Sequence, residues 1–403
     1  MTRLIKLSLA TSLALSCMAS ADTLEEAFKA SKFNGEIRGE YSDSNFLGQN
    51  GSDNIFVVGG NLGVLTGDYY GFKLGATFQT STVLDTDDEY GVFGNSPLSN
   101  DALDVQGSVL SESYVQYTLS NTTGKFGRQY IFTPLVSTAI DGKSSQSLMK
   151  DSFEAYMITN TDIPDTTIAA GYVSKYQAKR DGDGDVGSFD KFEDGAYTAY
   201  IKNNSVEDLT LQAQYLEVDG LVESEDKTAL YAQADYKIGS QTISAQYLQS
   251  QNKSQINDDG QAFGVKATGA LGIWKLGYLT AYNKTSDDGN VYVGAGAGTT
   301  DTLFTAMPVD GGGLSARADT DTIVGAIVIP VATATLIAYA GESFNDKPGV
   351  GDVPAVGAVV MYPYGKNFAL KANYEHVNIE NTIPGVIPDE NTDVARLYLS
   401  YKF

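Results

Sequence analysis

The stretch IVGAIVIPVATATLIAYAG, residues 323–341, holds no charged side chain. By length it could be a membrane-spanning helix, since about 20 apolar residues cross a bilayer core. Its residue types point the other way. Ile, Val, Thr and Tyr favour strands. Pro330, in the middle, would remove a backbone hydrogen bond and kink a helix. Read as a hairpin, residues 321–329 and 333–341 are two strands, and Pro330, Val331 and Ala332 form the turn between them. Each half is then close to the roughly 9–11 residues that a tilted membrane strand needs. Both faces of this hairpin are apolar or small. One reading is a wall whose inner face lies under an infolded loop. The sharper one is a subunit contact, such as a homotrimer would use.

Outward from this stretch the chain keeps a period of two. FNGEIRGEY (33–41) sets Phe33, Ile37 and Tyr41 on one face, against Asn34, Glu36, Arg38 and Glu40. YGFKLGATFQ (70–79) sets Tyr70, Phe72, Leu74, Ala76 and Phe78 against Lys73, Thr77 and Gln79. LTLQAQYLE (209–217), NFALKANYE (367–375) and ARLYLSYKF (395–403) repeat the pattern. Successive side chains of a strand point to opposite faces, so a period of two is the strand signature.

The connections alternate between short and long. LTGDYY, SNTTG, NTDIPD, NNSVED, KIGS, GALG, PVA and PYGK are short turns. Long loops fall around 42–52, 81–110, 131–150, 177–195, 218–227, 251–260, 284–320, 342–354 and 379–392. The segments amount to about 18 strands with both ends on the short-turn side. An even strand number, short turns at one rim and long loops at the other are the demands of an outer-membrane barrel. An open sheet could not span lipid, because its edge groups would be unpaired. The predicted fold class is therefore all-β, a transmembrane antiparallel β-barrel with short periplasmic turns and long outer loops.

The first residues read as a targeting segment. Arg3 and Lys6 precede the apolar LSLATSLALSCMA, and Ala19-Ser20-Ala21 reads as a cleavage site. A lipoprotein signal ending at Cys17 is the alternative. Residues 1–21 are then a signal peptide, 22–32 a short periplasmic extension and 33–403 the barrel, in the outer membrane of a Gram-negative bacterium. Cys17 is the only cysteine, so an exported chain would have no disulfide. The net charge of −23 argues against nucleic acid, whose partners need basic surfaces. The 25 tyrosines suit a membrane interface. Mean hydropathy of −0.17 decides nothing, because only alternate barrel residues face lipid.

The chain ends LYLSYKF, in which Leu397, Leu399, Tyr401 and Phe403 alternate. This looks like the sorting signal read by the barrel-assembly machinery, with Tyr401 and Phe403 as its aromatic positions. Two further stretches carry a family resemblance. They are ADTLEEAFKASKFNGEIRGEYSD and KFGRQYIFTPLVSTAIDGKSSQSLMKDSFEAYMITNTDIPDTTIAAGYV (125–173). Both resemble the OprD-type outer-membrane porins, in the version common in Campylobacter-like bacteria. The resemblance implies a diffusion channel for small hydrophilic solutes, with the third long loop, here 131–150, folded into the lumen. That loop contains Pro134, Asp141, Lys143 and Lys150.

Parity nominates pore-lining residues: Glu36, Arg38, Glu40, Lys73, Glu154, Asp235, Lys266, Lys275, Lys371, Glu375 and Arg396. The plain account is that any wet lumen must be polar. The sharper one is a transverse field at a constriction, with Asp141 and Glu154 set against Lys143. Arg128 shares parity with Phe126 and Tyr130 and stays unassigned.

RDGDGDVGSFDKFED (180–194) is the most metal-like text. Asp181, Asp183 and Asp185 have the spacing of a calcium loop, but Val186 stands where Gly is needed and Phe192 where Glu is needed. A solvated acidic loop is the expectation, with calcium the alternative and no cofactor otherwise. Such loops could still share divalent ions with lipopolysaccharide. Catalysis is not expected. His376 is the only histidine, it shares parity with Phe368, Leu370 and Tyr374, and no serine has an identifiable partner. The reading is a passive porin that prefers cations. Its partners are outer-membrane lipid, lipopolysaccharide, the assembly machinery and small hydrophilic solutes. A structural or adhesive barrel without an open channel is the alternative.

Overall fold

The computed structural model describes residues 21–46, 52–87, 105–138, 148–181, 184–220, 226–252, 259–272, 276–307, 313–347, 350–379 and 390–403. A short helix α1 (Leu24–Lys29) precedes the barrel. Thr23 caps it by accepting from the Glu26 N–H, and the Glu26 side chain answers at the Thr23 N–H. The strands then run β1 (Lys32–Phe46), β2 (Ser52–Leu65), β3 (Phe72–Asp87), β4 (Gly107–Leu119), β5 (Thr122–Gln129), β6 (Ser152–Asn160), β7 (Thr166–Gln177), β8 (Phe189–Asn203), β9 (Leu209–Asp219), β10 (Lys227–Ile238), β11 (Gln241–Asn252), β12 (Gly260–Leu271), β13 (Leu276–Thr285), β14 (Thr320–Val331), β15 (Ala334–Asn345), β16 (Val353–Tyr364), β17 (Phe368–Ile379) and β18 (Glu390–Lys402). Each pairs antiparallel with its neighbours in sequence. β1 pairs with β18 to close one 18-stranded sheet. Among the described residues no helix is long and apolar enough to cross a membrane.

The period of two has the physical meaning expected of it. On β1 the outward Phe33 and Ile37 are 68 % and 63 % exposed, while Glu36, Arg38 and Glu40 turn inward and are buried. Lipid takes up the outward row, and closure leaves no strand edge to satisfy. Short turns close most hairpins at one rim through a single left-handed residue, such as Ser120, Asp165, Asp208 and Ala332.

The 323–341 stretch is the hairpin β14–β15. Its tip lies at Ala332 and Thr333 rather than at Pro330, which still faces Thr335 at the strand end. The two isoleucines part company: Ile327 faces outward, whereas Ile337 packs inward. Inside, Val324 and Tyr339 pack with Met307 from the loop between β13 and β14. A loop therefore covers the apolar inner face.

The seam is sealed by the chain end. Gly35 and Phe403 exchange backbone hydrogen bonds at 3.0 Å each way. A methyl group on Gly35 would lie 2.5 Å from Phe403 Cζ, so the ring occupies the space a side chain would need. Tyr401 and Phe403 are both exposed on the outer face with rings stacked.

Candidate functional site

The lumen is divided into two unlike halves. Along β6 to β12 the inner wall carries an apolar cluster: Phe153, Met157, Val173, Phe192, Leu216, Tyr231 and Leu248 are buried there. Two loops fill the space in front of them. Leu135 and Val136 enter from the loop between β5 and β6, and Val291 and Leu303 from the loop between β13 and β14. The first loop is fixed to the wall, where Leu135 N–H donates to Gln214 Oε1 at 2.8 Å and Gln214 Nε2 donates to Thr133 Oγ1 at 2.8 Å. The second loop lies along the first: Ala295 N–H donates to the Leu135 carbonyl, and Ser137 N–H donates to that of Ala295. Gly294 and Gly296 permit the approach. Both have positive φ, and a Cβ on either would meet a carbonyl oxygen of the first loop at 2.3 Å.

Asp151 ties the loops together. Its carboxylate accepts the Lys179 N–H at 3.0 Å and the Ala297 N–H, so it links the entry to β6, the exit from β7 and the second loop. Complete burial pushes this carboxyl up, against the pull of Lys179, the two backbone N–H groups and Tyr176. Burial pushes Lys179 down, while Asp151 holds it up. Lys179 also lies within electrostatic reach of Arg396, Glu40 and Asp301.

The opposite half, from β17 through β1 to β5, keeps charges inside. Arg38 Nη2 donates to Glu36 Oε1 at 3.0 Å, and Nη1 donates to Glu40 Oε1 at 3.2 Å. All three residues are at most 7 % exposed. Arg396 is buried beside them on β18. Lys371 lies 4.9 Å over the Tyr398 ring, and buried Glu375 accepts the Tyr339 hydroxyl at 2.6 Å. Lys73 is half-buried on β3. Lys125 Nζ donates to Glu112 Oε1 at 3.2 Å and sits 3.8 Å over the Tyr114 ring.

The expected lining residues divide accordingly. Glu36, Arg38, Lys73, Lys371 and Arg396 come together on the charged half. Lys266 is inward but covered, 4.0 Å over the Phe304 ring of the second loop. Asp141 and Lys143 lie outside the described residues, as do Lys275 and Asp183. Glu154 is a correction. It stands on the outer face of β6, between inward Phe153 and Ala155, and meets Lys175 at 3.2 Å and Arg128 at 3.9 Å. The rule that polar residues face inward fails there, because the loops give this side of the lumen an apolar filling.

Glu112 escapes the parity for a related reason, whereas Lys125 follows plain alternation on β5, on the opposite face from Phe126. A bulge in β4 inserts Ser111, since Thr77 faces Glu112 and Phe78 faces Leu110. The bulge resets the parity beyond it. The run LFTAMP (303–308) inside a long polar loop was the available signal for the second infolded loop. His376 pairs with Asp393 at 2.9 Å beside exposed Tyr374, at the rim as its parity indicated. The Asp181 carboxylate accepts the Asp185 N–H at 3.0 Å. Among the described residues no group of three or more His, Cys, Asp or Glu is placed to hold a metal ion.

Known structures share this architecture. Pseudomonas aeruginosa OpdO is 14 % identical with a TM-score of 0.70, over 94 % of this chain and 98 % of that one. Pseudomonas aeruginosa OpdQ is 16 % identical with a TM-score of 0.70, over 94 % and 99 %. Acinetobacter baumannii OccAB1 is 12 % identical with a TM-score of 0.73, over 94 % and 98 %. At such identities the likeness is one of fold. No curated protein matches the chain. The family model of the Campylobacter major outer membrane protein matches residues 2–221, more than half of the sequence. The chain belongs to the Campylobacter major outer membrane protein family, a porin of the outer membrane on an OprD-type barrel.

Proposed function

We propose that the barrel is a passive diffusion channel for small hydrophilic solutes and ions, and that it prefers cations. The charged half of the lumen carries this reading. Buried charge is expensive unless it is paired or wet. A strip of inward charges running from Lys371 through Arg396 and Arg38 to Lys125 suits a narrow hydrated path. Solutes move down their gradient, filtered by width and field, without a resident cofactor. The cation preference rests on the acid excess of the chain, −23 overall, and on acids in the long loops such as Asp181, Asp185 and Asp226. Acidic walls around a mouth raise the local cation concentration. Insertion by the barrel-assembly machinery through Tyr401 and Phe403, export by a cleaved leader and assembly as a homotrimer complete the reading.

A planar-bilayer recording tests it. Stepwise conductance supports the channel. A reversal potential set by potassium at low salt, fading as the Debye length falls to about 3 Å at 1 M, supports the mouth acids. Anion preference at both ionic strengths would remove the charge argument and leave the channel. One observation favours a structural or adhesive barrel instead: Glu40 and Glu375 are at most 1 % exposed. Folded protein that gives no conductance steps would establish that alternative.

A further inference from the structure

The outer wall of β5 to β8 carries two adjoining rows of opposite chemistry. The lower is aromatic. Phe126, Tyr156, Tyr172 and Tyr197 face one another across the four strands, with ring centroids 6.3, 6.3 and 5.1 Å apart. Tyr156 and Tyr197 are about half exposed. The upper row, on the long-loop side, is charged. Arg128 faces Glu154, Glu154 faces Lys175, and Lys175 faces Lys191.

A backbone irregularity builds the upper row. Inward Val173 is followed by a register shift to Lys175, with Ser174 as the extra residue against β6 and residues 192–195 as the surplus of β8 against β7. Without that bulge the parity of β7 would send Lys175 into the lumen. Bulges re-aim side chains and disrupt the local ladder. Here the re-aimed side chain is a third base on the lipid-facing wall. Glu154 braces the row by holding Lys175 at 3.2 Å and Arg128 at 3.9 Å, and the Arg128 guanidinium lies 4.0 Å over the Phe189 ring. Lys191 is exposed. Acids are near as well: Glu193 and Asp194 are exposed on the next residues of β8. The row is therefore suited to short-range, charge-assisted contact rather than to a broad positive field.

Height fixes the ligand class. Outward aromatic rows mark the membrane interface in barrels. Arg128 and Glu154 stand two residues above Phe126 and Tyr156, about 7 Å along the strands, and Lys175 and Lys191 continue their row across the irregularities of β7 and β8. That is where phosphates of a lipid lie when its acyl chains cover the rings. The rim is the outer one, because the adjoining connections are long.

We propose that these rows are a docking site for a phosphorylated glycolipid of the outer leaflet. Its acyl chains lie on Phe126, Tyr156, Tyr172 and Tyr197, and a phosphate is held by Arg128, Lys175 and Lys191. The site rests on the outer-membrane placement and not on an open pore.

The test measures lipid retained by detergent-purified full-length barrel, by native mass spectrometry and by rebinding of bis-phosphorylated lipid A. Arg128→Gln, Lys175→Gln and Lys191→Gln together should lower retention at least fivefold, with heat-modifiable folding and bilayer conductance unchanged. Lys284→Gln, elsewhere on the outer wall, should not lower it. Should the triple variant fail to fold, Lys191→Gln alone must show a measurable fall. Unchanged retention in the folded variant overturns the site. So does an equal loss with Lys284→Gln, or equal binding of dephosphorylated lipid A or phosphatidylglycerol. Loss of an oligomer without loss of lipid would assign the rows to a second copy and overturn it too.

Discussion

Replacing Arg38 with methionine tests whether the inner charges act as a linked set. Arg38 holds Glu36 and Glu40 through three hydrogen bonds of 3.0–3.3 Å, and the group is almost closed to water. Glu36 and Glu40 are four residues apart, roughly 13 Å along the strand, so their mutual repulsion is the smaller effect. The larger one is the stranding of two buried carboxylates. Removing one partner of a buried pair costs about 3–5 kcal/mol. With urea slopes of roughly 1–3 kcal/mol/M, about 3 kcal/mol lowers the unfolding midpoint by about 1–3 M. The midpoint is read in lipid vesicles from the heat-modifiable band. Arg38→Met also makes the lumen more negative, so the reversal potential in a potassium chloride gradient should move toward potassium. Adding Glu36→Gln and Glu40→Gln removes the stranded charges and should recover most of the midpoint. An Arg38→Met barrel with an unchanged midpoint and unchanged selectivity would refute the argument.

Ile327→Lys places a charge in lipid near mid-strand and should destabilise by about 2–4 kcal/mol in vesicle unfolding, whereas Pro330→Asp at the turn end should change little. The reverse ranking would contradict the hairpin. Ile337→Lys should act from inside, by displacing Met307 and altering conductance, and unaltered single-channel current with a normal midpoint would contradict that placement. Deleting Phe403, or Gly35→Val, should slow the appearance of folded barrel in the outer membrane, because both disturb one seam; pulse-chase rates equal to the unaltered chain would count against it. Asp151→Asn leaves one acceptor oxygen for two N–H donors. It should loosen the paired loops at a cost of about 1.5–3 kcal/mol and raise the current noise, which quiet channels would disprove.

The residues that point into and out of the barrel show how far sequence alone carries. Period two on β1, β3, β9, β17 and β18, with the alternation of short and long connections, determined the strand type, the strand number and the closure. A membrane barrel must satisfy every backbone group and expose apolar side chains to lipid, and both demands are local enough to be written residue by residue. The same parity put Glu36, Arg38, Lys371 and Arg396 on the inner face, because those strands turn charged side chains toward one another inside the barrel.

Elsewhere only the tertiary structure decided. Glu154 faces outward and Phe153 inward because Leu135 and Leu303, far apart in sequence, bring apolar side chains into the lumen beside β6. Ser111 and Ser174 shift parity through bulges that depend on the partner strand. Asp151 gains its donors from Lys179 and Ala297, the latter from a distant loop. Alternation records which face of a strand a side chain is on. What that face meets is set by long-range packing, which no local period contains.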